Sequence, residues 1–278
     1  MEIFALNARP GRAVSWALSW FLFVAGVCAY MWIAQQRHRE NPEDRVVPTV
    51  AQMGQSFYDA AFGTDEDGGQ VSLPHRFLNS MLWQDTVASG KRFLWAMLLL
   101  IPAVVLGLHV GMFPFFGAFF LRFILFFDKI IALSVLPILF IAFGIDELSK
   151  VMLIVIGVTP TIILDTVNLS KGVPKEQIVK GFTLGAGDFA ITYRVVLKQI
   201  MPRILNSIRL NLKAVMLFLF AGEMIASTDG LAYRIALLRR NMGMSTILPY
   251  VLWVALLLFL VDLSMRILNR RMHPWFRE

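Results

Sequence analysis

Six runs of mostly apolar residues, at 13–34, 93–116, 118–145, 151–170, 206–227 and 246–268, are separated by shorter polar segments along the chain. Each approaches or exceeds the ~20 residues an α-helix needs to cross the hydrocarbon core, where a segment must satisfy its own backbone polar groups. The pattern predicts an all-α, polytopic membrane protein with about six transmembrane helices. Arg122, Asp128 and Lys129 interrupt the third run, and a charge at mid-bilayer costs at least ~2.5 kcal/mol. Residues 113–127 are therefore expected to be partly interfacial, with the true span starting near Lys129.

The segment between the fourth and fifth runs has its own order. Pro174 with Glu176 reads as a helix start, since proline's missing N–H costs nothing in the first turn and an acid there suits the helix dipole. A short helix from Lys175 to Leu184 is expected, then a turn allowed by Gly185 and Gly187. Phe189, Tyr193, Val196, Ile200 and Ile204 follow at three- and four-residue spacings that make one apolar face. Pro202 is expected to end or bend that helix. A polar loop that folds into two helices while offering Phe182 and Phe189 has a surface for a partner.

Before the second run, residues 35–92 form a longer polar segment. Pro48 precedes Val50, Met53, Phe57 and Ala61, which share one helical face and suggest an amphipathic helix on the outer leaflet. The stretch GTDEDGGQ reads as a turn. With six spans both termini share a side. Placing them in the cytoplasm puts there the eight Lys/Arg between Lys171 and Lys213, while the eight acids of 35–92 fall outside. The first run, at 22 residues without a small-x-small cleavage site, reads as a retained anchor.

Composition agrees: 57% of the 278 residues are hydrophobic, too many for an ordinary soluble domain. The net charge of +7 comes from basic residues beside the spans, as cytoplasmic loops show, so nucleic acid is not an expected partner. Cys28 is the only cysteine, which excludes an intrachain disulfide. No G-x4-G-K-[S/T] loop is present to cradle phosphates, and no metalloenzyme spacing occurs. No catalytic or metal-binding residue is therefore assigned. His109 is expected to make a packing hydrogen bond, and Asp262 an i, i+4 pair with Arg266. Glu223, within the fifth run, and the Asp128–Lys129 pair are candidates for a pathway or gate, with structural pairing or a membrane interface as the alternatives.

Several blocks resemble the permease subunits of binding-protein-dependent ABC importers. Their cytoplasmic signature, roughly EAA-x3-G-x9-I-x-L-P, is matched at Gly185 and at Val195 and Leu197; Val179-Lys180-Gly181 replaces Glu-Ala-Ala and Lys198 replaces the first proline. LWQDTVASGKRFLWAM, LPILFIAFGIDELSK, GEMIASTDGLAYRI and RILNRRMHPW are similar to the nitrate, sulfonate and taurine branch, although Asp128-Lys129 stands where that branch has a proline-rich stretch.

The resemblance implies a type I importer fold in a bacterial inner membrane: N-terminus and first helix at 1–34, an extracytoplasmic segment at 35–92, and a permease core at 93–278 with a coupling loop near 171–205. It implies a coupling helix, formed here by Lys175, Glu176, Lys180, Gly181, Phe182, Gly185, Ala186, Gly187, Asp188 and Phe189, that docks on an ABC ATPase. ATP and Mg would be bound by that partner, and this chain would hold no cofactor. The other implied partners are an extracytoplasmic substrate-binding protein and a second permease copy in a homodimer. The expected cargo is a small anion such as a sulfonate, taurine or nitrate. An ion-coupled secondary transporter and a non-transport membrane scaffold or enzyme are the rival readings.

Overall fold

The computed structural model describes residues 11–41, 46–63, 77–240 and 243–276, and those residues are helical with short connections. Most of the stretch read as a turn after Gly63 lies outside the described residues. Helix α1 (Arg12–Glu40) is exposed along nearly its whole length. It meets the rest at its far end, where Ala34 is buried and the Tyr30 hydroxyl donates to Pro48 O at 2.7 Å.

A capping box between Thr49 and Gln52 starts α2 (Val50–Phe62), satisfying two backbone donors that a helix start would leave open. The expected apolar face is present, but it does not simply lie on a leaflet: Ala61 is buried, and Phe57 packs on Trp253 of α11 (Met244–Met272) with ring centroids 6.0 Å apart.

Helices α3 (Met81–Leu99) and α4 (Ile101–Met112) form one span, Met81–Met112, so the second crossing starts well before its hydropathy run. The third run is not one helix. It is α5 (Pro114–Phe127) and α6 (Ala132–Phe143), meeting at 97° across the break that contains Asp128 and Lys129. Two charges in an apolar run are better solvated at a helix break than along a lipid-facing helix.

Helix α7 (Glu147–Lys171) is the hub, packed by α3, α4, α6 and α9. Its Ile154, Val158 and Ile162 meet Ala96, Val110, Val215 and Leu219 in the main core. Close approach to α4 depends on missing side chains: a Cβ on Gly107 would fall 2.8 Å from Ile163 O, and one on Gly111 would fall 1.9 Å from Ser170 Oγ. Spacing four residues apart puts both glycines on the contact face, as in membrane helix pairs generally.

Helix α8 (Lys175–Thr183) is followed by α9, which runs Asp188–Ala226 with a π-helical stretch at Ile191–Val196. Pro202, expected to end or bend the helix, lies inside it. The Asn269 amide of α11 donates to the Pro202 carbonyl at 3.0 Å, which ties α11 to α9 at this point. Helix α10 (Leu231–Arg240) precedes α11. Among the described residues, five helices are long and apolar enough to cross a membrane, or six if the bent pair counts as one crossing.

Candidate functional site: a loop surface, a helix break and a buried charge cluster

The 172–190 loop at one end of α7 is rigidly built. The Gly185 N–H donates to Phe182 O at 2.9 Å and the Ala186 N–H to Gly181 O at 3.1 Å, the paired bonds of a Schellman C-cap, which needs a left-handed residue at the turn. Gly185 supplies it with φ +80°. Gly181 is buried because Ile191 lies across it, where a Cβ would approach Ile191 Cγ1 to 3.1 Å.

The remaining loop residues face outward. Lys175, Glu176, Lys180, Gly187 and Asp188 are exposed and Ala186 is half-buried. Val179, Phe182, Leu184 and Phe189 are exposed at 60%, 48%, 88% and 65%, an apolar surface left largely uncovered among the described residues. The expected stripe divides here. Val196, Ile200 and Ile204 are buried, whereas Phe189 and Tyr193 stay at the surface and contact the α4–α5 corner. Phe189 lies 5.2 Å from Phe113 between ring centroids. His109 Nδ1 donates to Val105 O at 2.8 Å, leaving Nε2 to accept from the Tyr193 hydroxyl at 3.2 Å. The expected packing hydrogen bond of His109 is thus present. Beside the loop, Val173, Pro174, Ile200, Arg203, Trp275 and Phe276 line a cavity of about 290 Å³.

At the α5–α6 break, Asp128 accepts from Lys129 Nζ at 3.1 Å and from Thr161 Oγ1 at 3.3 Å. Asp128 is mostly enclosed, but the Lys129 side chain is 77% exposed. One turn farther along α7, Asp165 accepts a hydrogen bond from Ser207 of α9. Asp262 pairs with Arg266 at 3.0 Å, as expected, and also lies 3.7 Å from Arg209 Nε.

Glu223 does not face an open path; it is fully buried at the opposite end of the bundle from α8. Its carboxylate accepts from Ser89 Oγ at 2.7 Å, Arg92 Nη1 at 2.8 Å and the Ala232 N–H at 3.0 Å. Arg92 is the centre of the cluster: it also donates to Glu147, twice, and to the side chain and carbonyl of Asp229. Lys150 donates to Glu147 at 2.9 Å and to Ser227 at 3.2 Å.

Asp85 of α3 completes the junction. It accepts from the Gly230 N–H at 3.1 Å and from Arg234 Nε at 2.8 Å, and the Leu231 N–H donates to Ser89. Burial works against the Arg234 charge, but the Asp85 hydrogen bond and charge outweigh it and raise the guanidinium above its ordinary range. Gly230, at φ +114°, leaves no room for a side chain, since a Cβ would come within 2.7 Å of the Glu223 carboxylate and Arg92. The 227–231 turn is thereby tied to α3, α7 and α9. Sequence reasoning singled out Glu223 alone of this set; the available signal was the charged ends of three runs, in SGKR, ELSK and STDG. Among the described residues no three His, Cys, Asp or Glu groups come together to hold a metal.

The family of binding-protein-dependent transport system inner membrane components matches residues 103–274. The chain belongs to this family of importer permeases.

Comparison with individual members agrees. The permease is 30% identical over 212 residues to the taurine transport system permease protein TauC of Escherichia coli (strain K12), covering 75% of this chain and 76% of TauC. Its fold is similar to that of a chain of the inward-facing MetNI methionine ABC transporter in a native crystal form, with a TM-score of 0.54 and 16% identity over 75% of this permease and all of that chain. A second MetNI crystal form gives the same TM-score at 17% identity. The ATPase of such transporters is a separate chain, so the permease performs no bond chemistry of its own.

Proposed function

We propose that two copies of this permease form the membrane channel of an ATP-driven importer for a small sulfonate-type solute. Termini and α8 face the cytoplasm, and the Glu223–Arg92 cluster faces the side where a binding protein delivers cargo. The solute class rests on the likeness to a taurine permease, taurine being an aminosulfonate.

The observation that carries the ATPase-docking role is the segment from Lys175 to Phe189: its backbone is fixed by a Schellman cap while four apolar side chains remain exposed. Rigid apolar surface of this kind is what a groove on a partner recognises. At its end Phe189 meets Phe113 of the α4–α5 corner, and Tyr193, one turn beyond, bonds His109, which supports transmission of ATPase movement into α5 and the Asp128–Lys129 break. Nucleotide and its magnesium belong to the partner. The positive-inside distribution supports the orientation.

The test is isolation of the tagged permease from native membranes with whatever ATPase accompanies it. Wild type should retain a nucleotide-hydrolysing chain in stoichiometric amount. Phe182→Asp, which puts a charge in the apolar surface, and Gly185→Arg, which breaks the cap, should lose it or uncouple hydrolysis from taurine uptake. Full retention and coupling in both variants would refute the docking role.

A further inference from the structure

Between Ile204 and its end, helix α9 leaves Leu210, Lys213, Leu217, Met224 and Ile225 exposed. Its depth follows from antiparallel packing on α7. Gly222 lies against Lys150, Phe218 against Gly157, and Ser207 bonds Asp165. That register puts Lys213 level with residues 159–161 of α7. Thr161 is also the residue that bonds Asp128, so the exposed Lys129 belongs to the same level. Because α7 rises ~1.5 Å per residue, Thr161 sits about 21 Å from its start and about 15 Å from its end, close to mid-bilayer.

Lysines near span ends reach water along their stems, but a charge near mid-depth costs several kcal/mol unless it faces water or a counter-ion. Lys129 has Asp128 as a partner. Lys213 has no ion pair among the described residues, and Asp165, the acid one turn away on α7, is bonded to Ser207 instead. A polar stripe on α7, Thr161, Asp165 and Asn168 at i, i+4 and i+7, occupies the same half of the bundle and suits a wetted face.

We propose that Lys213 and Lys129 form a water-facing cationic pair that contacts the anionic head of the solute as it crosses. The inference rests on the importer reading above and deepens it by naming an anion contact. A lysine ammonium offers three rotatable donors on a flexible stem. Such donors suit the several equivalent oxygens of a sulfonate as it moves through.

Labelling of the assembled complex in membranes tests the pair without reference to the cargo. Cys28 is the only native cysteine, so Lys213→Cys and Lys129→Cys are made in a Cys28→Ser background. Each is treated with an anionic sulfonatoethyl methanethiosulfonate or its cationic trimethylammonioethyl analogue. Both positions should react, the anionic reagent faster. Adding Lys129→Gln to Lys213→Cys should lower the anionic-to-cationic rate ratio severalfold, as expected for loss of one unit charge from the same water-facing space. No reaction of Lys213→Cys with either reagent, or a ratio indifferent to Lys129→Gln, overturns the proposal.

Taurine uptake gives the second readout. Lys213→Gln should lower the maximal uptake rate at least tenfold and Lys213→Arg should restore much of it; a wild type that imports taurine with the maximal rate unchanged in Lys213→Gln also overturns the pair. If the complex imports no taurine yet keeps the labelling pattern, the sulfonate reading fails and the anion-facing pair stands.

Discussion

Arg92→Met separates a buried charge cluster that holds the fold from one that merely decorates it. Arg92 meets three carboxylates, but they differ in weight. The Glu147 and Asp229 side chains are 63% and 56% exposed, whereas Glu223 is 0% and Arg92 only 3%. Water can replace the guanidinium at the first two, where exposed pairs contribute at most about 1 kcal/mol. At Glu223 it cannot. Removing Arg92 leaves that carboxylate with Ser89 and the Ala232 N–H alone, and breaking one half of a buried pair costs about 3–5 kcal/mol. At about 2–4 °C of Tm per kcal/mol for a chain of this size class, the loss is on the order of 10 °C. Thermal unfolding of the purified complex in detergent measures it.

The reverse substitution is the sharper half of the test. Glu223→Gln leaves Arg92 paired with Glu147 and Asp229 and should cost only about 1–2 kcal/mol, the worth of one charged hydrogen bond. Replacing both residues, Arg92→Met with Glu223→Gln, removes the unpaired charge and should recover at least ~2 kcal/mol relative to the sum of the single changes. A Tm drop below ~2 °C for Arg92→Met, or a double variant as poor as that sum, would show that the cluster does not act through the buried pair.

Gly230→Ala should lower the yield of folded permease sharply, because its Cβ would collide with the Glu223 carboxylate in a backbone conformation that side chains resist. Gly54→Ala in α2 meets nothing within 4 Å and should be neutral or stabilising by up to ~1 kcal/mol; equal yields of the two would refute the packing argument. Gly185→Val also meets nothing, so it should cost only about 1–2 kcal/mol for the left-handed backbone. The permease should still fold, while ATPase stimulation by cargo should fall at least tenfold; normal stimulation would show that the Schellman cap is dispensable.

The amino-acid sequence alone determined the membrane class, the number of apolar runs and the helix–turn–helix of the loop, because these depend on local properties. Hydropathy over ~20 residues decides whether a segment partitions into a bilayer, and a glycine after an amphipathic turn decides where α8 stops. Motif spacing carried the likeness to importer permeases for the same local reason. The third run showed its interruption as Asp128 and Lys129, but the 97° angle between α5 and α6 comes from what each half packs against. Pro202 reads as an end or a bend, and α9 continues through it, with Asn269 of α11 bonding its carbonyl. Only the tertiary structure brought Asp85, Ser89, Arg92, Glu147 and Glu223 into one cluster, since partners up to 149 residues apart meet only when α3, α7 and α9 share an end. The level shared by Lys129 and Lys213 likewise depends on the register of two antiparallel helices. A charge in an apolar run is legible in sequence; whether it is buried with a partner or turned toward water is a property of the packed bundle.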